Sequence, residues 1–128
     1  EDVCYYHARS LYTLNRFGPA IQVLEGLRKR ESRQGRLLTA LGQAYEANGE
    51  SGKAERAFEE AVRQADHRGE ALLRYGVFLF RAGRLEEAEK RVRQAIEAAP
   101  ANVEAQAELG RVLYQRGELQ EAIVVLEK

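Results

Sequence analysis

A ten-residue segment of this chain recurs at a fixed spacing of 34 residues. "LFRAGRLEEA" at 79–88 returns as "LYQRGELQEA" at 113–122, and the same register gives "YEANGESGKA" at 45–54 and "LYTLNRFGPA" at 11–20. A repeat of this length cannot bury its apolar face alone, so neighbouring copies must stack to form a core. We therefore predict four copies, the last of them truncated, at 1–34, 35–68, 69–102 and 103–128.

The copies, laid in register, form columns of similar side chains. Two columns are small in every copy and should let two helices approach closely: Ala8, Gly42, Gly76, Gly110 and Ala20, Ala54, Ala88, Ala122. A turn column tolerates positive φ and should end the first helix of each copy: Asn15, Gly49, Gly83, Gly117. A large apolar column should fill the space between one copy and the next: Leu24, Phe58, Val92, Leu126.

The composition favours helices throughout. Alanine, leucine, glutamate and arginine dominate, and only Pro19 and Pro100 interrupt them. These residues have low free-energy penalties in a helix. Two helices per copy are therefore expected, at about 2–14, 18–30, 34–48, 52–65, 68–82, 86–98, 102–116 and 119–128.

Two copies carry a pattern that identifies a known repeat. Its columns read Leu38, Leu41-Gly42, Tyr45, Ala54, Phe58, Ala61 in the second copy and Leu72, Tyr75-Gly76, Leu79, Ala88, Val92, Ala95, Pro100 in the third. Over the whole chain this pattern resembles the tetratricopeptide repeat. The resemblance implies an all-α, right-handed superhelical solenoid of antiparallel helix hairpins, forming a single domain over 1–128. It also implies a protein-interaction scaffold with a concave groove.

The resemblance assigns the groove to a second stripe on each first helix. Positions 4, 7, 8 and 11 of a copy are expected in the core, whereas 2, 5, 9 and 12 form another face at helical spacing. We expect aromatic side chains there to contact a protein or peptide partner and arginines to pair with its acidic groups. The candidate residues are Tyr5, Arg9, Tyr12, Thr39, Gln43, Glu46, Leu73, Arg74, Val77, Phe80, Arg111 and Tyr114. The alternative is that these residues pack against neighbouring first helices.

One tetratricopeptide subfamily grips the C-terminal carboxylate of chaperones with lysine, asparagine and arginine side chains. At the positions that this clamp requires, the chain has Tyr5, Arg9, Ala40, Glu70 and Arg74. Only Arg74 agrees, and Glu70 would repel a carboxylate. The sequence therefore disfavours binding of chaperone tails.

A glycine-lysine pair in "NGESGKAE" (48–55) is similar to the end of a phosphate-binding loop. Such a loop needs a glycine at position 47 and a hydroxyl at position 54, and both positions are alanine. The pair also follows a predicted helix, whereas a phosphate-binding loop follows a strand. We interpret the segment as the turn of the second repeat, and no cofactor is expected.

No constellation of catalytic or metal-binding residues stands out. Cys4 and His7 form half of a zinc site, but the only other histidine, His67, lies two repeats away, and structural zinc needs four ligands. Both residues fall in core columns, where packing is their expected role. No acidic residue is singled out to orient a histidine as a base. We therefore predict that the chain is not an enzyme and binds no metal.

Charge and hydropathy limit the class of partner. Twenty basic residues balance twenty acidic ones, so no overall electrostatic field attracts nucleic acid. We interpret the basic cluster at 28–36 as the solvated end of a helix, where cations complement the helix dipole. No apolar run is long enough for membrane insertion. The single cysteine fits a cytoplasmic location, which we favour, and also a periplasmic one.

The two ends of the array depart from the pattern. The first copy has His7-Ala8 in place of Leu-Gly, and the fourth has Gln106 where Leu38 and Leu72 stand. The last segment contains "AIVVL" at 122–126, although a solenoid end needs a polar cap. We therefore expect the chain to be a piece of a longer protein. The alternative is self-assembly into a homo-oligomer through the terminal repeats.

Overall fold

The described part of the chain is helical. In this computed structural model, the structure describes residues 2–28, 35–64 and 67–117, with the backbone alone for residues 2–5. These residues form seven helices and no strand: α1 (Asp2–Thr13), α2 (Phe17–Arg28), α3 (Gly35–Ala47), α4 (Ser51–Arg63), α5 (Arg68–Arg81), α6 (Leu85–Ala98) and α7 (Val103–Gln115). The chain divides into two compact units, Glu1–His67 and Arg68–Lys128.

Where the structure describes their ends, the first seven predicted helices agree with the observed ones to within two residues, and the predicted end at 30 and start at 34 lie outside the described residues. The predicted eighth helix, at 119–128, lies outside the described residues, as do Ala122 and Leu126. The prediction of an all-α repeat fold is confirmed. Hairpin packing follows chain order, because α1 packs on α2, α3 on α4, and α5 on α6.

The turn column ends the first helix of each hairpin as predicted. Asn15, Gly49, Gly83 and Gly117 have φ values of 63°, 85°, 81° and 83°. In the first three turns, the N–H of this residue donates to a carbonyl three residues back, and the next N–H donates to a carbonyl five residues back. These two bonds satisfy carbonyls that the helix end leaves unpaired, and only a residue that accepts positive φ permits them.

In the second and third hairpins, a glycine of the small column makes the close contact between the two helices. A Cβ atom on Gly42 would lie 2.7 Å from Cε1 of Phe58, and one on Gly76 would lie 2.6 Å from Cγ2 of Val92. The large apolar column was predicted to fill space between copies, and that prediction was incomplete. Phe58 and Val92 fill the hairpin itself, although Val92 also contacts Leu109 and Leu113 of α7.

The first repeat departs from the predicted core. Ala8 is buried, but His7 is exposed, so its assignment to the core was wrong. In α3 the equivalent residue, Leu41, lines a cavity beside Arg28 of the preceding helix α2. The imidazole of His7 is polar and can stay in contact with water, unlike the leucine side chain at this position of α3.

The fourth repeat begins with two polar contacts that explain its departure from the pattern. The Asn102 side chain accepts hydrogen bonds from the N–H groups of Glu104 (3.0 Å) and Ala105 (3.3 Å) and so caps α7. The Gln106 amide, at the position of Leu38 and Leu72, donates to the Pro100 carbonyl at 2.9 Å.

Among the described helices, none is long and apolar enough to cross a bilayer.

Candidate partner-binding faces

The exposed face of α1 contains two of the predicted site residues. Arg9 and Tyr12 are exposed, and 38% of Tyr12 is accessible to solvent. The Tyr12 ring packs edge-on against Phe17 of α2, with ring centroids 5.2 Å apart and an interplanar angle of 64°. This geometry holds an exposed aromatic ring in place. The side chain of Tyr5, the third predicted residue of this helix, lies outside the described part.

The face of α3 is more covered. Gln43 and Glu46 are half-buried. Thr39 is 3% exposed, and its hydroxyl donates to the Gly35 carbonyl at 2.7 Å. The Thr39 side chain is therefore buried and bonded within its own helix, although the sequence placed it on the second stripe.

On α5, an ion-pair network surrounds the arginine that was predicted to bind acidic groups. Arg74 Nε lies 2.7 Å from Glu70 Oε1, and Arg74 Nη1 lies 2.8 Å from Glu104 Oε1 on α7. Burial lowers the pKa of Arg74, but the hydrogen bonds to Glu104 and Glu70 outweigh that effect, and the pKa is raised. Both carboxylates thus stabilise a half-buried guanidinium that links α5 to α7.

The other α5 candidates differ in exposure. Val77 and Phe80 are half-buried, whereas Leu73 is fully buried. Leu73 therefore packs inside the protein, as Thr39 does. The sequence pattern placed both residues on the second stripe, but it carried no information on how closely a neighbouring helix covers that stripe.

On α7, both candidate residues are exposed. Tyr114 is 59% exposed, and the Arg111 side chain is 62% exposed. Arg111 is bonded to the Glu108 carboxylate, whose side chain is only 10% exposed. Arg111 thereby compensates a nearly buried charge in addition to presenting its own guanidinium to solvent.

The turn between α3 and α4 consists of residues 48–50, whereas the glycine-lysine pair, Gly52-Lys53, lies in the first turn of α4. Lys53 Nζ lies 3.2 Å from Glu50 Oε1 and 5.9 Å from the centre of the Tyr45 ring. Hydrogen bonds from Asn48 and Lys53 lower the pKa of Glu50. The lysine is therefore paired with a carboxylate in the turn itself.

A polar cluster that the sequence reasoning missed joins α2, α3 and α4. The Tyr45 hydroxyl donates to Glu25, and Arg28 Nη2 lies 2.6 Å from Glu60 Oε2. Burial and the bond to Glu25 raise the pKa of Tyr45 to about 12. These pairs are 20 and 32 residues apart. No helical spacing could have pointed to them, since only partners three or four residues apart follow from periodicity.

The described residues contain no group of three or more metal-ligating side chains that could hold an ion. His7 is exposed, and the Cys4 side chain lies outside the described part. The chemistry of the described faces is that of aromatic, amide and charged groups on helices. Side chains of these types can pack against another molecule and form hydrogen bonds with it.

Solved structures share this fold at low sequence identity. PilF of Pseudomonas aeruginosa superposes with a TM-score of 0.89 at 20% identity, over 98% of this chain and 58% of its own. The first TPR of Spaghetti (RPAP3), bound to the HSP90 peptide SRMEEVD, has a TM-score of 0.78 at 23% identity, covering 90% and 91%. YrrB, a TPR protein with an unusual peptide-binding site, has a TM-score of 0.74 at 21% identity, covering 95% and 63%.

No curated protein matches this chain. The tetratricopeptide repeat model, however, matches residues 5–64, 39–91 and 79–128, so its matches run from residue 5 to the last residue. Together with the 34-residue columns and the helix hairpins described above, this match shows that the chain belongs to the tetratricopeptide repeat family.

Proposed function

We propose that the chain is a non-catalytic protein-interaction scaffold whose first helices hold a segment of a partner protein. The fold supports this role in general, because structures with the same fold include one bound to a peptide and one described as having a peptide-binding site. In this chain, contacts with the partner would be made by the exposed side chains described above.

The observation that carries the proposal is the Tyr12 ring, which is exposed and yet held by Phe17. An aromatic side chain that is already fixed loses little conformational entropy when a partner covers it. Tyrosine is also among the residues that contribute most to binding at protein interfaces. Arg9, three residues earlier on α1, is exposed and supplies a cation beside this anchor.

The second unit supplies a face of different chemistry. Val77 and Phe80 offer partly covered apolar surface on α5, and Arg111 and Tyr114 are exposed on α7. Arg74 and Arg111 already neutralise carboxylates of the same unit. We therefore assign contact with acidic partner groups chiefly to Arg9, and apolar contact to the aromatic side chains.

The partner proposed is not an acidic chaperone tail. Where a carboxylate clamp needs lysine and arginine, this chain has Glu70, and its Arg74 is held by two carboxylates. A peptide ending in EEVD would have to displace those carboxylates from the guanidinium and would also meet the charge of Glu70.

The test is a quantitative pull-down from an extract of the source organism with wild-type, Tyr12→Ala and Leu14→Ala chains. Leu14 is a matched control, because it is 67% exposed and follows Tyr12 by only two residues, but does not share the face of Tyr12. Loss of an interface anchor should weaken binding about tenfold, which corresponds to about 1.4 kcal/mol. Partners retained equally by all three chains would refute the assignment of this face.

A further inference from the structure

A cavity of about 150 Å³ lies inside the first unit, where α2, α3 and α4 meet. Three basic side chains line it, Arg28, Lys53 and Arg56, together with one acidic side chain, Glu60. Leucine and alanine side chains add an apolar part to the lining. None of these residues belongs to the faces of the first helices that carry the proposed function.

The cavity lies at a place that a long side chain covers in the next hairpin. Leu41 and Ala57 line it, and they stand 34 residues before Tyr75 and Arg91. There the guanidinium of Arg91 lies over the Tyr75 ring, 5.2 Å from its centre, and Nη1 donates to the Gln94 side chain at 3.2 Å. The methyl group of Ala57 cannot reach as far as the arginine does. The second hairpin therefore has room for a side chain from another molecule.

The charges around the cavity favour an anion. Arg28 Nη2 lies 2.6 Å from Glu60 Oε2, and Lys53 Nζ lies 3.2 Å from Glu50 Oε1, so these two cations are paired. Arg56 is exposed, and it forms no ion pair or hydrogen bond with any residue that the structure describes. Its guanidinium offers several N–H donors in a plane, an arrangement that matches a carboxylate.

We propose that this cavity receives a glutamate side chain of a partner protein. The aliphatic part would pack on Leu41 and Ala57, and the carboxylate would accept hydrogen bonds from Arg56. A cavity of about 150 Å³ can hold a molecule as large as benzene, which exceeds the size of the end of a glutamate side chain. A basic side chain is disfavoured here, because it would meet three cations. The pairing of Glu60 with Arg28 offsets the repulsion between Glu60 and the incoming carboxylate.

The experiment is an NMR titration of the isotope-labelled chain with the amide of N-acetylglutamate. The amide of N-acetylglutamine has the same shape without the charge and is the matched probe. Signals of the Arg56 side chain and of the Leu41 and Ala57 backbone N–H groups should shift and saturate, with a dissociation constant on the order of 10 mM. The glutamine probe should bind at least tenfold more weakly, because it cannot form a charged hydrogen bond with Arg56.

Two substitutions separate the charge of the site from its shape. Arg56→Gln should weaken binding of the glutamate probe about tenfold. Arg63→Gln removes the same charge from an exposed position of α4 outside the cavity and should leave binding unchanged. Ala57→Leu should also weaken binding about tenfold, because the larger side chain would fill the cavity and leave the charges as they are.

Circular dichroism would verify that all three variants remain folded. Shifts that do not saturate up to about 100 mM would overturn the proposal, and so would equal binding of the glutamine probe. Binding by Arg56→Gln or Ala57→Leu as tight as that of the wild type would also overturn it. None of these changes lies on α1, so the outcome is independent of the Tyr12 face proposed above.

Discussion

Replacing Gly42 by alanine should destabilise the first unit, although alanine is the better helix former. A Cβ atom at this position would lie 2.7 to 2.8 Å from three atoms of the Phe58 ring. Real Cβ atoms do not approach other heavy atoms so closely. The ring is fully buried, so it cannot move away without displacing its neighbours.

Two opposing terms set the size of the effect. Alanine in a helix interior is favoured over glycine by about 1 kcal/mol. Forcing an extra methyl group into a packed core costs about 1–3 kcal/mol. The free energy of unfolding should therefore fall by up to about 2 kcal/mol, with the largest loss if the Phe58 ring cannot shift. Gly26→Ala is the matched control, because Gly26 lies in α2 with no heavy atom within 4 Å of its Cβ position. This control should be neutral or stabilising.

Urea denaturation followed by circular dichroism measures both variants against the wild type. Combining Gly42→Ala with Phe58→Leu should recover part of the loss, because the smaller side chain leaves room for the methyl group, and the two changes should be non-additive. If Gly42→Ala proves as stable as Gly26→Ala, the close contact between the two helices is not the reason why this position needs a glycine.

Three further outcomes follow from the geometry. Gly83→Ala should lower the free energy of unfolding by about 1 kcal/mol in the same denaturation assay, because Gly83 has a φ of 81°. Asn15→Gly, in the equivalent turn of the first repeat, is the control and should be neutral or stabilising. Burial and the bond to Glu25 raise the pKa of Tyr45 from 10.0 to about 12. The free energy of unfolding that this residue contributes is then present below pH 10 and lost as the pH rises to about 12. The absorbance of tyrosinate, compared between the wild type and Tyr45→Phe, would give the pKa of the Tyr45 hydroxyl. The peptide SRMEEVD should show no saturable binding by fluorescence anisotropy up to about 1 mM, and binding in the micromolar range would contradict our account of Arg74.

The repeat architecture could be predicted because it rests on local rules. The turn column needed only residues that accept positive φ, and all four positions have it. The small columns needed only the spacing between two helices of a hairpin. Such features repeat every 34 residues, so each copy supplied independent support for the others.

The composition of the binding faces could be predicted less well, because exposure depends on what covers a helix. The pattern placed His7 in the core, but the residue is exposed. It placed Thr39 and Leu73 on the second stripe, and both are buried. Periodicity gives the direction of a side chain around its own helix and says nothing about the distance to the next one.

Long-range charge pairing was beyond the sequence for a related reason. The pairing of Arg74 with Glu70 follows from a spacing of four residues, whereas its pairing with Glu104 depends on how α7 packs on α5. The same applies to Arg28 and Glu60, which are 32 residues apart. Arg74, which the sequence assigned to acidic groups of a partner, is thus neutralised in part by a glutamate of another helix.

The most direct test of the central claim is site-specific photo-crosslinking from the Tyr12 position. A photoreactive phenylalanine analogue would replace Tyr12 in one chain and Leu14 in a second, and each chain would be irradiated in an extract of the source organism. The account predicts a partner adduct from position 12 that is absent from position 14, because only the Tyr12 ring belongs to the proposed binding face. Equal adducts from both positions, or an adduct from position 14 alone, would contradict the claim that this face binds a partner protein.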